Sequence, residues 1–526
     1  MCGIYAWIAL TSQAKQPEDY ENRIETLHKR GPNQQRIFIK GKRCIVAHTR
    51  LTINGNDIPQ PFFWDDKSAL LSINGEIYNS KELKQRLNTF YEFKNISDCE
   101  IILPYIYENL SNIRQALQGI DGIFSFILKH NDEYVIARDP LGITSLYYAY
   151  DNEKNSIQIA SEMKAFGTIN MTYNHFPPGH FMKITKGNVT IQPYYNFFAV
   201  SPLPFNTTTF RSLLESAVHK RINLCDTKWG CFLSGGLDSS IISSIAARYS
   251  KTPIRTFSIG LDGSPDLLAA KKVASYIKSN HTEFTFTTEE AIDSIPEVIH
   301  AIESYDTTTI RSSIPMYLLS KHISKLGIKM CLSGEGADEC MCGYLYFHNA
   351  PNLKELEEER NKRIVELNRF DCLRAHKATL AHGIETRVPF LDLTFLQYVT
   401  NIDISYLQPT KKHMEKYILR EAFQDILPRE IVWRQKEQFS DGVGFSHINE
   451  LEKYADKKNL KDKYSNNSVR TNEEALYLNV FEKYFSSIRF ECPLLKRWEP
   501  KWVESHDPSG RIASVHLQNN TKGRLN

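Results

Sequence analysis

The stretch CFLSGGLDSS, residues 231–240, decides the fold of the second half of this chain. An apolar run that ends at Leu233 leads into the turn Ser234-Gly235-Gly236, and a helical pattern follows. In this order of strand, turn and helix, several backbone N–H groups converge at the helix N-terminus and can bind an anion. The two glycines allow the backbone to approach a phosphate closely. The loop lacks the Gly-Lys-Ser/Thr ending of a Walker A motif, so it predicts a phosphate site of another kind.

The segments around this loop alternate between helical and strand patterns. The order is helix FRSLLESAVHKRI, strand WGCFLSGG, helix SSIISSIAARYS, strand TFSIG, helix DLLAAKKVASYIKS and strand EFTF. This alternation is typical of an α/β domain with a doubly wound parallel sheet. Residues from 356 to about 490 predict a mainly helical part, and the polar segment 506–526 predicts a flexible tail.

The first 200 residues have a different pattern, in which short β-rich runs follow one another with few helices between them. These runs are RIFIK, CIVAHTRL, SALLSINGEIY, GIFSFILK, EYVIARD, SLYYAY and SIQIASE. The turn-rich segment SPLPFNTTT then marks a linker. We therefore expect an α+β domain over 1–200 and an α/β domain over 208–505.

Composition limits the partners of these domains. The chain has 526 residues, enough for two domains, and its formal net charge is only +3. This charge indicates neither nucleic acid nor a membrane surface as a partner, and no apolar run approaches the length of a membrane span. Ten scattered cysteines in a chain of this length fit reduced thiols in the cytoplasm. Small molecules are the expected ligands.

The N-terminal MCGIYAWI leaves three interpretations of Cys2 open. It is a buried thiol, part of a targeting signal, or a nucleophile exposed when Met1 is removed. The basic region that a signal peptide needs is missing. The bulky residues from Ile4 to Leu10 predict a buried strand that would hold Cys2 in place.

Further polar residues stand at the ends of other segments. The loop CLSGEGADE (331–339) brings Glu335, Asp338 and Glu339 after a second apolar strand, where α/β sheets bind ligands. The stretch YDTTTIRSS (305–313) brings three polar residues together, and it could also be a capped helix start. ETRVPFLD (385–392) and RQKEQFSDGVG (434–444) add two cations. Taken alone, each cation could be an ordinary surface residue.

The first loop resembles the pyrophosphate loop of PP-loop ATP pyrophosphatases, and the whole set of motifs resembles the glutamine-dependent asparagine synthetases. The resemblance extends through GSPDLLAA, SGEGADE, GYLYFHNAPN, RVPFLD and RQKEQFSDGVG to DPSGR, and it is thin only over about 451–505. It implies an Ntn-hydrolase-type class II amidotransferase domain followed by a PP-loop synthetase domain. The implied reaction makes asparagine from aspartate, with ATP, Mg²⁺ and ammonia from glutamine, through an aspartyl-adenylate.

The resemblance also assigns roles in the first domain. Cys2 would be the nucleophile, with its own freed amino group as base, because the two groups have similar pKa values and no histidine is then needed. Arg50 would bind the glutamine carboxylate, and Asn74 and Gly75 would form an oxyanion hole. Glu76 and Asp98 would bind the amino and amide groups of glutamine.

In the second domain the resemblance implies sites for ATP, for magnesium and for the acyl-adenylate. Glu335 would bind or deprotonate ammonia, Asp238 and Asp338 would hold Mg²⁺, and Arg387 is an additional candidate. The other implied residues are Leu233, Ser234, Gly235, Gly236, Ser239, Ile259, Ser333 and Gly334 for ATP, and Thr308, Thr309, Arg311 and Lys436 for the adenylate and pyrophosphate.

The chain departs from the family pattern at three positions. Asn33 and Thr49 replace acids in RGPN and HTRL, and Cys342 replaces a glycine in DECMCGY. If that glycine has a positive φ, this loop must differ locally.

Two other functions compete with the leading one. One is another synthetase of the same superfamily, either β-lactam-forming or acting on a different acid; the β-lactam-forming relatives would be expected to lose Cys2 and Glu335, and both are present. A tRNA-modifying PP-loop protein would be expected to show a basic face or CxxC pairs, which this sequence lacks. The expected partners are therefore glutamine, aspartate and ATP, in the cytoplasm, with a homodimer as one compatible assembly.

Overall fold

The computed structural model describes most of the chain as two packed domains. The described residues are 1–54, 60–64, 66, 68–94, 97–151, 153–167, 172–198, 202–436, 442–467, 469–485, 489–490 and 496–503. The predicted flexible tail, 506–526, lies outside them.

The strands of the described residues form three sheets. They are β1 Gly3–Ala9, β2 Gln34–Lys40, β3 Cys44–Arg50, β4 Phe62–Phe63, β5 Ala69–Ile77, β6 Gly122–His130, β7 Glu133–Arg138, β8 Tyr147–Asp151, β9 Ser156–Ala160, β10 Thr172–His175, β11 His180–Thr185, β12 Asn188–Pro193, β13 Trp229–Phe232, β14 Arg255–Gly260, β15 Asn280–Thr285, β16 Met330–Leu332, β17 Glu385–Arg387 and β18 Arg489–Phe490.

Short helices accompany the first domain and longer ones dominate the second. The α-helices are α1 Tyr20–Glu25, α2 Ser80–Gln85, α3 Ile102–Glu108, α4 Ile113–Gln118, α5 Thr207–Asn223, α6 Leu237–Tyr249, α7 Pro265–Tyr276, α8 Thr288–Ile302, α9 Thr307–Ser324, α10 Ala337–Cys340, α11 Leu353–Glu366, α12 Asp371–Leu380, α13 Leu393–Asn401, α14 Tyr417–Phe423, α15 Arg429–Val432, α16 Phe445–Lys458 and α17 Asn472–Phe485. Short 3-10 helices are Leu110–Asn112, Met163–Phe166, Leu345–Asn349, Leu367–Arg369, Pro389–Leu391, Ile404–Leu407 and Lys461–Asn467.

Two sheets stack face to face in the first domain. One has the order β18-β10-β8-β9-β1-β3-β2, and the other has the order β12-β11-β7-β6-β5-β4. Alternate residues of β1, including Ile4 and Ile8, pack between the sheets against Ile127 and Ile136. Helices α3 and α4 cover the outer face of the second sheet, where Ile102 contributes to a separate apolar cluster. This confirms the expected α+β sandwich.

The third sheet is parallel, with the order β15-β14-β13-β16-β17. Because β13 and β16 are neighbours, the loops that follow them open at the same edge of the sheet. Gly334 allows the two loops to pack closely, since a Cβ there would lie 2.7 Å from the backbone nitrogen of Ser239. The predicted doubly wound α/β domain is therefore confirmed.

The two domains share an extensive apolar interface. Trp7 and Ala47, on the outer face of the first sheet, belong to the same buried cluster as Ile310 of α9 and Leu373 of α12. The short strand β18 pairs in parallel with β10, so a segment near the end of the chain completes the first sheet. The sequence did not predict that β18 would join this sheet. Among the described residues, no helix is long and apolar enough to cross a membrane.

Candidate active site

The residues expected to process glutamine meet where β1 begins. The backbone N–H of Cys2 donates to the Asn74 side-chain oxygen Oδ1 at 2.6 Å, and both residues are buried. The Cys2 thiol lies 3.9 Å from the carbonyl oxygen of Leu51. We call Cys2, Arg50, Asn74, Gly75, Glu76 and Asp98 the Cys2 site. Because β1 pairs with both β3 and β9, the start of the chain is ordered and the thiol has a fixed position.

The side-chain amide of Asn74, next to Gly75, provides a hydrogen-bond donor beside this thiol. Since the Asn74 oxygen is used by Cys2, its amide Nδ2 points elsewhere, and this buried nitrogen has no partner. A buried donor without a partner costs stability, and it often marks a group reserved for a ligand. Gly75 has a φ of 154°, and a Cβ there would lie 2.0 Å from the Ile123 carbonyl oxygen. Glycine is therefore required at this position of β5.

The charged members of the Cys2 site lie on neighbouring segments. An Nη atom of Arg50, at the end of β3, donates to the Asn54 carbonyl oxygen at 3.3 Å, and the Asn54 amide donates to Glu76 at 2.7 Å. The Asp98 carboxylate accepts from the Ile77 backbone N–H at 2.5 Å. Burial raises the pKa of Glu76 and of Asp98, because removal from water disfavours the carboxylate.

Met1 lies between this site and the second domain. Its ammonium group pairs with the Glu385 carboxylate of β17 at 2.6 Å, and both side chains are fully buried. The Met1 side chain belongs to an apolar cluster that also contains Leu51 and Ile143. Removal of Met1 would therefore uncover the Cys2 amino group at the domain interface.

A cavity lies over the two loops at the edge of the parallel sheet, and we call it the two-loop cavity. Most of the predicted residues of the second domain line it. These are Leu233, Ser234, Gly236, Asp238, Ser239, Ile259, Thr308, Thr309, Ser333, Gly334, Glu335, Asp338 and Lys436. Gly235 does not line it. Its φ is 74°, and a Cβ there would lie 2.4 Å from the Ala270 nitrogen, so it is needed for contact with α7.

Two lysines neutralise the acids of this cavity. The Lys416 ammonium contacts both Asp238 oxygens at 2.8 and 2.7 Å and Asp338 at 2.6 Å. Lys436 pairs with the other Asp338 oxygen at 2.6 Å. Burial opposes charge on Asp338, but the two lysines outweigh it and hold its pKa below the usual range. The Asp338 carboxylate therefore stays ionised beside the loops, whereas burial raises the pKa of Asp238 and Lys416 opposes that rise.

The Glu335 carboxylate lines this cavity and pairs with a guanidinium group of the second domain. Arg374 of α12 donates to both Glu335 oxygens at 2.8 Å. Burial raises the pKa of Glu335, Arg374 opposes the rise, and the nearby Asp371 adds to it. A carboxylate with a raised pKa is a better proton acceptor than an ordinary one. This property suits the predicted role of Glu335 toward ammonia.

Of the polar residues that follow Tyr305, Thr308 and Thr309 line the cavity, whereas Arg311 lies in the core. Asp306 caps α9 by accepting from the Thr309 N–H at 2.8 Å and from its hydroxyl at 2.7 Å. The Thr308 hydroxyl is buried without a partner and lines the cavity. Arg311 is not brought there. Its Nε and an Nη atom donate to the two Glu473 oxygens of α17 at 2.9 and 2.6 Å.

Helix α12 connects the two sites. Arg30 donates from Nε to the Cys2 carbonyl oxygen at 3.1 Å, and an Nη atom lies 2.7 Å from the His376 Nε2. Burial lowers the pKa of His376 well below its usual value, so this histidine is neutral and can accept from Arg30. The same helix carries Arg374, which holds Glu335. One continuous apolar cluster includes both Met1 and Phe370, and Phe370 lines the two-loop cavity.

The three departures from the family pattern are accommodated locally. Asn33 accepts from the Thr52 N–H at 3.0 Å, and the buried Thr49 hydroxyl donates to the Leu27 carbonyl at 3.1 Å. Cys342 is fully buried and keeps a φ of 51°, the left-handed conformation that favours glycine. The loop therefore retains this backbone in spite of the side chain.

Several cavity residues were missed in the sequence. Lys416 lies in the charged run KKHMEKY, which resembles a solvent-exposed segment. Arg374 lies on α12, a helix whose residues are all buried, and this burial is visible only in the structure. Trp498 lines the cavity, and its backbone N–H donates to Asp306 at 3.1 Å, although it belongs to the segment with the thinnest resemblance.

Comparisons with known proteins agree with this geometry. A family model described as glutamine amidotransferase domain matches residues 1–173, and one described as asparagine synthase matches 209–365 and 352–484. The chain is 40% identical to "Asparagine synthetase [glutamine-hydrolyzing] 2" of Arabidopsis thaliana, covering 98% of this chain and 95% of that one. Its identity to the Lotus japonicus protein "Asparagine synthetase [glutamine-hydrolyzing] 1" is 41%, covering 98% and 94%. Its identity to the Zea mays "Asparagine synthetase [glutamine-hydrolyzing]" is 40%, with the same coverage.

Proposed function

This chain belongs to the family of glutamine-hydrolysing asparagine synthetases, and we propose how its residues carry out that reaction. The enzyme is a ligase that forms asparagine from aspartate, with ATP as co-substrate and glutamine as the nitrogen donor. We propose that ATP is converted to AMP and pyrophosphate, that the Cys2 site releases ammonia, and that the two-loop cavity activates aspartate. The observation that carries the assignment of the Cys2 site is the unpartnered Asn74 amide beside Cys2.

Glutamine hydrolysis starts with attack of the Cys2 thiolate on the side-chain amide of glutamine. After Met1 removal, the free amino group of Cys2 takes the thiol proton and later gives it to the leaving ammonia. The Asn74 Nδ2, together with the Gly75 backbone N–H, stabilises the negative oxygen of the tetrahedral intermediate. The hydrogen bond between the Cys2 N–H and the Asn74 oxygen fixes the amide so that its nitrogen is the group left to donate.

The substrate glutamine is held at its charged end. Arg50 binds the carboxylate, for which a planar guanidinium is well suited, and Glu76 with Asp98 binds the amino and amide groups. The buried position of Glu76 strengthens its attraction for an ammonium group, because the surroundings have a low dielectric constant. These residues therefore select an α-amino acid and place its amide at Cys2.

Aspartate activation takes place in the two-loop cavity. The backbone after β13 and β16 contacts ATP, and Thr308, Lys416 and Lys436 contact the phosphates or the adenylate. Lys416 and Lys436 are buried cations whose partners are the aspartates of the same cavity, so they are fixed where phosphate charge develops. Thr309 supports this arrangement through the cap of α9. Arg311 supports it through its ion pair with Glu473.

We also assign Mg²⁺ to the two-loop cavity. Asp238 and Asp338 suit this ion, because Mg²⁺ in such enzymes is usually held by one or two carboxylates together with substrate phosphates. The shared contact with Lys416 demonstrates that the two carboxylates converge on one cation. The described residues contain no group of three or more acidic, histidine or cysteine side chains suited to a metal. When bound, the ion would neutralise phosphate charge.

Ammonia then reaches the aspartyl-adenylate through the apolar interior that connects Met1 and Phe370. Glu335 meets it there and takes the proton released as the new amide forms. That the enzyme is cytoplasmic and works as a homodimer remains a prediction.

The proposed function is tested by incubating the enzyme with glutamine, ATP, Mg²⁺ and a panel of amino acids, and by measuring AMP and new amides. Asparagine and AMP should form in equal amounts and only with aspartate, and at least as much glutamate should form as asparagine. Equal AMP formation with every acid, or ADP as the product, would contradict the assignment.

A further inference from the structure

Glu76 belongs to the first domain, but its cationic partner comes from the second. An Nη atom of Arg387, on β17, lies 2.9 Å from a Glu76 oxygen, and both side chains are buried. The other Glu76 oxygen accepts from Asn54 at 2.7 Å. The hydrogen bond from Asn54 and the ion pair with Arg387 engage both carboxylate oxygens, although the Arg387 Nη2 makes no hydrogen bond to the described residues, and they leave further lone pairs for a ligand.

The Arg387 guanidinium is itself held on three further sides. Its Nη1 donates to the carbonyl oxygens of Arg221 at 2.6 Å and Leu224 at 2.8 Å, and its Nε donates to Glu385 at 2.6 Å. Its side chain is fully buried. The guanidinium therefore has little freedom to move, and its position toward Glu76 is set by the second domain.

Burial and charge act against each other at Glu76. Loss of water is the largest influence and raises its pKa, while Arg387 is the largest influence that lowers it. The other titratable groups that face Glu76 from the packed elements are Asp98, Glu385, the Met1 amino group, Tyr78 and Cys99. The neighbouring acids disfavour a second negative charge, so Arg387 is the main group that limits the rise in the pKa of Glu76.

We propose that Arg387 is a positioning residue for glutamine, which holds Glu76 as an oriented carboxylate for the α-ammonium group of the substrate. The inference rests on the proposed function, because it requires Glu76 to bind glutamine. Its consequence is that the glutamine site is incomplete without the synthetase domain. Arg387 also borders the ATP loop, since its carbonyl oxygen accepts from the Ser333 N–H at 2.9 Å.

The test compares Arg387→Gln and Arg387→Lys with the wild-type enzyme, each full-length and with Met1 removal checked by mass spectrometry. Arg387→Gln keeps amide donors for the carbonyl oxygens but loses the charge. We expect its KM for glutamine to rise roughly 30-fold or more, with a smaller change in kcat, because a buried carboxylate is left unpaired. Arg387→Lys should be intermediate, because one ammonium cannot replace a guanidinium that contacts four groups.

The pH dependence separates this role from a merely structural one. Without Arg387 the pKa of Glu76 rises further, so the carboxylate stays protonated up to a higher pH and cannot pair with an ammonium group. The acid limb of kcat/KM for glutamine should therefore move to higher pH in Arg387→Gln, and KM should recover as pH rises. Ammonia-driven asparagine synthesis and its KM for ATP should change less than 3-fold, a limit of roughly 0.7 kcal/mol at 25 °C.

Lys377→Met is the matched control. Lys377 is another fully buried cation at the domain interface, and it pairs with Glu303 and Tyr147 rather than with the Cys2 site. Its loss should lower stability without moving the acid limb. A wild-type KM and pH profile in both Arg387 variants, or in Arg387→Lys if the other does not fold, would overturn the inference. Absence of glutaminase activity in the wild-type enzyme would instead overturn the proposed function.

Discussion

In the Cys2 site, Glu76 and Asp98 are close to one guanidinium, that of Arg387, and the pKa of both acids is raised by burial. In the two-loop cavity, Asp238 and Asp338 contact two ammonium groups, those of Lys416 and Lys436. In the first arrangement Arg387 is the cation that contacts Glu76, and two acids beside it suit a substrate that brings an ammonium group. The second arrangement supplies fixed cations and suits a substrate that brings phosphates.

Under the proposed function, the charges of each site match its substrate: acids with few cations for an ammonium group, and ammonium groups for phosphates. A buried acid with too few cations is costly to the folded protein, and it is kept where a cationic ligand completes it. The proposed substrates of the two sites are also separate. Changes in one site should therefore leave the chemistry of the other intact, and the predictions below test this separation.

The largest effect should come from Cys2→Ala, which removes the nucleophile of the Cys2 site only. Glutamine-driven synthesis should fall by at least about 10³-fold, while ammonium salts should still support asparagine formation at a near-normal rate. The measurement is the ratio of glutamine-driven to ammonia-driven synthesis. An unchanged ratio would show that Cys2 is only a structural thiol.

Cys44→Ala is the matched control for that change. Cys44 is a fully buried thiol of β3 that packs between the two sheets of the same domain. Its replacement should cost about 1–2 kcal/mol through the small void that it leaves, without changing the ratio. If Cys44→Ala alters the ratio as strongly as Cys2→Ala, the effect of Cys2 cannot be assigned to its chemistry.

Lys416→Met, in the two-loop cavity, should have the second largest effect. Loss of the bridging ammonium leaves Asp238 and Asp338 to repel each other and leaves phosphate charge uncompensated. Synthesis from either nitrogen source should fall by about 10²-fold, as for the loss of one fixed charge-stabilising group. Glutamine hydrolysis should persist. Lys411→Met, at an exposed position of the same segment, should change neither rate, whereas equal loss of glutaminase activity in Lys416→Met would contradict the separation of the sites.

The two loops of the two-loop cavity could be predicted from the sequence, because their signals are local. CFLSGGLDSS and CLSGEGADE each combine an apolar strand, a turn and a helix start within about ten residues, and the structure has these elements where they were expected. Most strands of the first domain were predicted for the same reason, since their apolar residues alternate or run together, but β4, β10 and β18 were not.

The charges that complete the sites could not be predicted, because their partners are distant in the chain. Lys416 lies 178 positions from Asp238, and nothing in KKHMEKY indicates which carboxylate it contacts. Arg311 was expected at the adenylate because of the family resemblance. A bidentate pair with Glu473, 162 positions away, holds it instead in the core. Tertiary pairing of this kind overrides local pattern.

The variant Glu335→Gln should separate the two steps of the synthetase reaction, activation of aspartate and its amination. The amide keeps the shape but can no longer accept a proton from ammonia. Aspartate-dependent exchange of pyrophosphate into ATP should remain within about 10-fold of wild type, while asparagine formation should fall by about 10²-fold. A parallel loss of both activities would show that Glu335 is needed for activation instead.

The smallest effect concerns backbone strain, for which Gly75 and Cys342 are the comparable positions. At Gly75 any Cβ would collide with the Ile123 carbonyl, whereas Cys342 carries a side chain at a φ of 51°. A left-handed conformation costs a non-glycine residue about 1–2 kcal/mol. Cys342→Gly should relieve this strain, but it should lose a similar amount through the buried thiol and through the greater freedom of an unfolded glycine. Cys342→Ala loses the thiol and keeps the strain.

We therefore expect the glycine variant to be more stable than the alanine variant by about 1 kcal/mol, the reverse of the order usual outside left-handed positions. Denaturant midpoints of the two variants, measured beside wild type, give this difference, and an alanine variant at least as stable as the glycine variant would show that the loop is not strained.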